Sequence, residues 1–167
     1  MRFRKKVLNP WTAAALAVAL AITAPWNAMG AEPALATGQT LYVPVYSHIY
    51  SGDRERPVYL AVTVSIRNTD PVRAIQVMSV DYYNSEGQRL QRYLEKPITL
   101  PPLATARYVV KESDKAGGSG ANFLVRWQSG EPTNPPLIES IMISTASQLG
   151  ISFTSRGVPT VEAPPIP

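Results

Sequence analysis

From Thr40 onward, apolar and polar residues alternate with period two, and turn chemistry interrupts the pattern at roughly 8–12-residue intervals, as in an all-β domain. Thr40–Tyr46 alternates Leu41, Val43 and Val45 with Tyr42, Pro44 and Tyr46, and its internal proline predicts an edge strand or one that switches sheets. Val58–Asn68 is the clearest strand, with Leu60, Val62, Val64 and Ile66 on one face. In Ala74–Tyr83 the apolar parity changes, from Ile75 and Val77 to Val80 and Tyr82. One inserted residue near Met78-Ser79 reconciles the two halves and predicts a β-bulge.

Asn84-Ser85-Glu86-Gly87 predicts a hairpin turn into Arg89–Glu95. Pro97–Leu103 reads as a proline-rich crossing, followed by a strand at Thr105–Lys111 with Ala106, Tyr108 and Val110 inward. After a polar loop (Glu112–Gly120), Asn122–Gln128 turns Phe123, Val125 and Trp127 to one side. A turn at Glu131–Pro136 precedes Leu137–Thr145, apolar on both faces and so central, and Ile151–Thr154 is a last short strand. No helical stripe separates these elements, which predicts a single immunoglobulin-like β-sandwich of about seven or eight strands over residues 37–156. The Pro-rich tail, 157–167, is expected to be loose or extended.

The first 36 residues read differently. A cationic head (Arg2, Arg4, Lys5, Lys6) precedes an apolar run from Trp11 to about Ala24, and two small-x-small sites follow, predicting a secretory signal cleaved after Gly30 or Ala36. The run is shorter than the roughly 20 residues of a spanning helix. The formal charge of +4 resides in that head, since without its four cations 12 basic residues face 12 acidic ones. The mature chain thus lacks the positive surplus that nucleic-acid binding requires. It has no second apolar run long enough to span a membrane. The chain has no cysteine, which excludes disulfides, thiolate metal sites and a thiol nucleophile. A periplasmic or secreted location by the general secretory route is expected.

Four stretches in order, Ser47-His-Ile-Tyr-Ser-Gly52, Ser65-Ile-Arg-Asn-Thr-Asp70, Val80-Asp-Tyr-Tyr-Asn-Ser-Glu-Gly87 and Gly117-Gly-Ser-Gly-Ala-Asn-Phe-Leu-Val-Arg-Trp127, resemble a family of small bacterial exported proteins known as a domain of unknown function. The resemblance covers about residues 40–158. It implies an exported single domain and supplies no activity or catalytic residue. Many members look like lipoproteins, from which this chain departs by lacking the anchoring cysteine.

Candidate chemistry is sparse. His48, the one histidine, lies among Tyr42, Tyr46 and Tyr50 and could ligate a metal or move a proton. A metal would need carboxylate partners, and His48 more simply hydrogen-bonds at a strand end. A Ser-His-Asp set could be drawn from His48, Asp81 and a serine, but no nucleophile elbow exposes one. Asp70, Asp81, Glu112 and Asp114 could gather calcium in loops, though no Asp-x-Asp-x-Asp-Gly run fixes such a site. Gly117-Gly118-Ser119-Gly120 could cradle an anion, with Asn122 bracing it, yet a strand rather than a helix follows. Tyrosines flanked by Arg67, Arg89 and Arg92 have the composition of an interaction surface.

The binding residues so nominated are His48, Tyr50, Arg67, Asp70, Asp81, Tyr83, Asn122 and Arg126, with no catalytic set, metal or cofactor assigned. The expectation is a non-enzymatic binding or assembly module of the bacterial envelope, engaging an envelope protein or surface ligand through a sheet face, loops or strand addition at Thr40–Tyr46. The alternative is a small-ligand- or calcium-dependent sensor or enzyme using His48 and loop carboxylates.

Overall fold

A computed structural model of the chain describes residues 34–145 and 150–160, and these form strands without helix. The predicted address, 1–36, lies outside them except for its last three residues, as does the tail beyond Thr160. In chain order the strands are β1 (Ala36–Pro44), β2 (His48–Ser51), β3 (Arg56–Tyr59), β4 (Ala61–Arg67), β5 (Ile75–Tyr83) and β6 (Arg89–Arg92). Then come β7 (Ile98–Leu100), β8 (Thr105–Val110), β9 (Asn122–Thr133), β10 (Leu137–Ser144), β11 (Ile151–Arg156) and β12 (Val158–Pro159). The larger sheet runs β12-β1-β9-β5-β6, with β7 also on β5. The smaller runs β11-β10-β4-β8, and β2 and β3 form a separate hairpin. All pairings are antiparallel.

The period-two pattern decides which side of each sheet is buried. Leu41 and Val43, Val77, Val80 and Tyr82, and Phe123, Val125 and Trp127 come from the larger sheet. They share one core with Val62, Val64 and Ile66, Ile138 and Met142, and Val110 from the smaller. Trp127, Tyr82 and Phe123 are its largest fully buried side chains. The expected bulge is present: β5 shifts register against β9 between Val77 and Ser79, so Val80 and Tyr82 point inward as Val77 does. Asn84 caps the expected turn, its carboxamide oxygen accepting the amides of Glu86 and Gln88 (3.1 and 2.7 Å), with Gly87 at φ 77°. β10 is internal, as its apolar faces implied.

Twelve strands stand among the described residues where seven or eight were expected, and each difference has a structural cause. Val58–Asn68 is not continuous. β3 pairs with β2, while Leu60 turns its amide to the Ser47 carbonyl (3.0 Å), and β4 then enters the smaller sheet. The proline-rich crossing contains β7, because Ile98, Thr99 and Leu100 carry no proline and pair with β5. β9 runs through the expected turn as far as Thr133. Nor is β1 a free edge. It pairs with β9 along its length, and Val158 and Pro159 lie across Tyr42 and Leu41 on its other side. The chain crosses there from one sheet to the other. Gly157 donates to the Ile138 carbonyl (2.8 Å), and Thr160 donates its amide to the Thr40 carbonyl (2.8 Å), so 157–160 are docked rather than loose.

Candidate functional site

Register places four of the eight nominated residues on one surface. Across the larger sheet Tyr42, Leu124, Asp81 and Arg92 form one row, Thr40, Arg126 and Ser79 a second, and Pro44, Asn122, Tyr83 and Arg89 a third. Their chain neighbours Val43, Phe123, Val125, Val80 and Tyr82 are buried in the core, so by pleat geometry these rows face outward. The bulge after Val77 is what turns Asp81 and Tyr83 to this side.

Asp81 faces outward, yet its side chain is only 11% exposed because two arginines cover it. The Arg92 Nε donates to its carboxylate at 3.2 Å, and the Arg89 guanidinium lies 3.9 Å away. Arg126, in the next row, makes no ion pair among the described residues. The rows therefore hold three guanidinium groups against one carboxylate. An open groove of about 420 Å³ beside Arg126 is lined by Gly38, Thr40, Gln128 and Thr160 among others.

The other four nominated residues lie elsewhere. His48 and Tyr50 sit on the β2–β3 hairpin, which enters β4 at Ala61, and Arg67 and Asp70 lie at the far end of β4, roughly 20 Å along the strand. The His48 Nε2 is 3.2 Å from the Tyr50 hydroxyl, and its ring meets Tyr50 and Tyr59 edge-on at 5.1 and 6.0 Å. The Lys115 ammonium sits over Tyr59 at 4.7 Å. The serine nearest His48 is Ser47, whose hydroxyl is 3.5 Å from Nδ1 but donates to the Gly118 carbonyl at 3.0 Å in a buried position. Arg67 pairs with Glu139 (3.2 Å) on the smaller sheet.

Asp70 is a structural node. It is buried, and its carboxylate accepts the Thr133 hydroxyl, the amides of Arg73 (2.8 Å) and Val72 (2.9 Å), and the Asn134 amide (3.3 Å). The Thr133 bond foremost, then those amides, hold its carboxyl well below the usual carboxylate range against the opposing effect of burial. Asn68, unnominated from sequence, ties the same corner by donating to the carbonyls of Arg73, Leu100 and Pro101. Among the described residues no three His, Asp or Glu side chains gather to hold a metal.

The glycine loop is braced by Ser85, not by Asn122, whose side chain makes no hydrogen bond among the described residues. The Ser85 hydroxyl donates to the Gly117 carbonyl (3.1 Å) and accepts the Gly120 amide (3.0 Å). A Cβ on Gly117 would overlap the Tyr82 hydroxyl, and Gly118 holds φ 81°. Close packing thus accounts for these glycines, and one of the amides an anion would use is already spent.

A family model described as a protein of unknown function, DUF3124, matches residues 38–160. The chain belongs to the DUF3124 family. That match takes in all three rows of the outer face and the Asp70 corner. The crystal structure of Thermotoga maritima 1070 is similar to this DUF3124 chain at a TM-score of 0.44 and 7% identity, over 72% of this chain and 92% of that one. A search of curated proteins found no match. No helix of the described residues is long and apolar enough to cross a membrane.

Proposed function

We propose that this DUF3124 protein is an exported, non-enzymatic binding module of the bacterial envelope, built on an immunoglobulin-like sandwich. Its binding surface is the outer face of the larger sheet, and its partner is an envelope protein presenting an acidic patch. The observation that carries this reading is the convergence of Asp81, Tyr83, Asn122 and Arg126 with Arg89, Arg92 and Tyr42 on one face with excess positive charge. Tyrosine and arginine are the side chains interfaces favour, and an unpaired Arg126 is free to meet a carboxylate.

The β1 edge foreseen for strand addition does not carry the reading, since β9 and β12 flank it. The alternative, a small-ligand- or calcium-dependent sensor or enzyme at His48, draws support from the ring cluster of His48, Tyr50 and Tyr59. Asp70 does not serve it, because its carboxylate is already engaged by four donors.

Charge reversal tests the proposal. A photo-reactive side chain placed at Tyr42 is expected to give one discrete adduct in native envelopes with the otherwise wild-type chain. The Arg89→Glu, Arg126→Glu double variant should lose that adduct, while Thr63→Glu, on the other sheet, keeps it. Retention of the adduct by the double variant would remove the proposal.

A further inference from the structure

The two sides of the sandwich are unlike. On one, the chain crosses between sheets at Gly157 and Ser140 donates its hydroxyl to the Pro44 carbonyl (2.6 Å), so β1 and β10 are tied. On the other, β8 ends the smaller sheet with no strand beyond it among the described residues. Its six residues pair with β4 in unbroken register from Thr105↔Arg67 to Val110↔Val62. No proline, lysine or bulge lies within it, so the usual protections of an edge are absent apart from Arg107 and the Tyr93 hydroxyl at the Val109 carbonyl.

The direction of its backbone groups follows from one bond. Asn68 donates its amide to the Ala104 carbonyl (2.9 Å), which makes 68 and 104 a hydrogen-bonded pair. Antiparallel alternation then points Ala106, Tyr108 and Val110 toward β4, and turns the N–H and C=O of Thr105, Arg107 and Val109 outward. The Val109 carbonyl agrees, since it accepts the Tyr93 hydroxyl at 3.3 Å from the far side. Thr105, Arg107 and Val109 also expose their side chains on the outer face, Val109 by 50%. An open groove of about 390 Å³ lined by Gln91, Tyr93, Val109, Lys111, Ser113 and Asp114 flanks the Val109 end of this edge, and there the Lys111 and Asp114 charges offset each other.

We infer that β8 is the acceptor edge for an extended, acid-bearing segment of a partner protein, bound by strand addition. Charge sets the occupant. On the neighbouring strands Glu139 is bridged by Arg67 and lies opposite Arg156, whereas Arg107, across Ser65, makes no ion pair among the described residues. A residue paired opposite Arg107 lands on the same outer face, where a carboxylate is favoured and a cation is not. That rule also opposes a second copy: antiparallel β8–β8 pairing centred on Arg107 would set two guanidinium groups opposite each other. The segment has Asp or Glu at its centre, with β-branched residues two places away opposite Thr105 and Val109. This edge is separate from the larger sheet's outer face, so the two proposals fail independently.

The test uses the ¹⁵N-labelled chain and two synthetic heptapeptides of alternating valine and threonine, one with a central glutamate and one with a central lysine. The glutamate peptide is expected to shift the Thr105, Arg107 and Val109 amides, slow their hydrogen exchange, and bind roughly threefold to tenfold tighter than the lysine peptide. Arg107→Glu, which leaves the backbone unchanged, should invert that order. Unmoved amides at millimolar peptide would overturn the inference. So would shifts confined to β11, a charge order unaffected by Arg107→Glu, or a dimer of this chain formed through β8.

Discussion

Replacing Gly117 by alanine separates a packing role for the glycine loop from an anion-cradling one. The new methyl would overlap the Tyr82 hydroxyl and stand 2.8 Å from the Tyr82 Cζ and 3.0 Å from the Ala121 Cβ. The phenol has little room to retreat, because its ring stacks on Phe123 at 5.0 Å and meets Tyr93 edge-on at 6.5 Å. Overpacking in a tight core costs about 1–3 kcal/mol, and a clash against a locked ring belongs at the upper end, about 3 kcal/mol. Tyr82→Phe removes the first atom the methyl meets. That hydroxyl is buried without a hydrogen-bond partner among the described residues, so its loss alone should be neutral or stabilise by about 1 kcal/mol. The double variant should therefore recover part of the loss, a coupling of about 1–2 kcal/mol, with the Cζ and Ala121 contacts remaining. Urea unfolding of the four proteins reads this directly, and about 3 kcal/mol corresponds to a melting shift on the order of 10 °C. Gly117→Ala within about 0.5 kcal/mol of wild type, or strictly additive variants, would refute the packing explanation.

Asp70 predicts the acid limb of stability. Its folded carboxyl titrates below the unfolded value of about 3.9, so its contribution is fully present above that pH and is lost as pH falls through and below it. Urea midpoints between pH 5 and 2 should fall in wild type and flatten in Asp70→Asn, which is also less stable at neutral pH; parallel curves would contradict this. Leu103 holds φ 59° and is 67% exposed, so Leu103→Gly should gain about 1 kcal/mol in thermal unfolding, and a loss would show that the side chain is held by contacts. Ala36 pairs with Thr133 at the start of β1, so cleavage after Gly30 leaves that strand whole while cleavage after Ala36 trims it. The proposed export then predicts an amino terminus at Ala31 on sequencing, and a start at Thr37 would exclude that choice.

Strand identity and burial were legible because period-two alternation is a local signal. Leu60, Val62, Val64 and Ile66 are all buried, as are Phe123, Val125 and Trp127, and the parity change between Val77 and Val80 announced a real bulge. What escaped depends on partners distant in sequence. Nothing near Leu60 shows that its amide will meet Ser47, and nothing near Pro44 shows that Val158 will cover β1. The same limit applies to the site. The outward convergence of Asp81, Tyr83, Asn122 and Arg126 requires the register of β5 on β9, and Asp81 is hidden only because Arg89 and Arg92 return over it. As a loop acid Asp70 reads as a candidate calcium ligand, whereas Thr133, 63 residues away, makes it a buried acceptor. Asn68 carried a local hint, an Asx-type residue opening the Asn-Thr-Asp-Pro turn.

The proposed binding face is tested most directly by photo-crosslinking side chains introduced one at a time at Tyr42 and Arg126 on the larger sheet, and at Thr63 and Ile143 on the smaller, in cells of the native organism. The predicted result is one adduct of common mass from Tyr42 and Arg126 and none from Thr63 or Ile143. Adducts from Thr63 and Ile143 alone, or none at Tyr42 and Arg126, would contradict it.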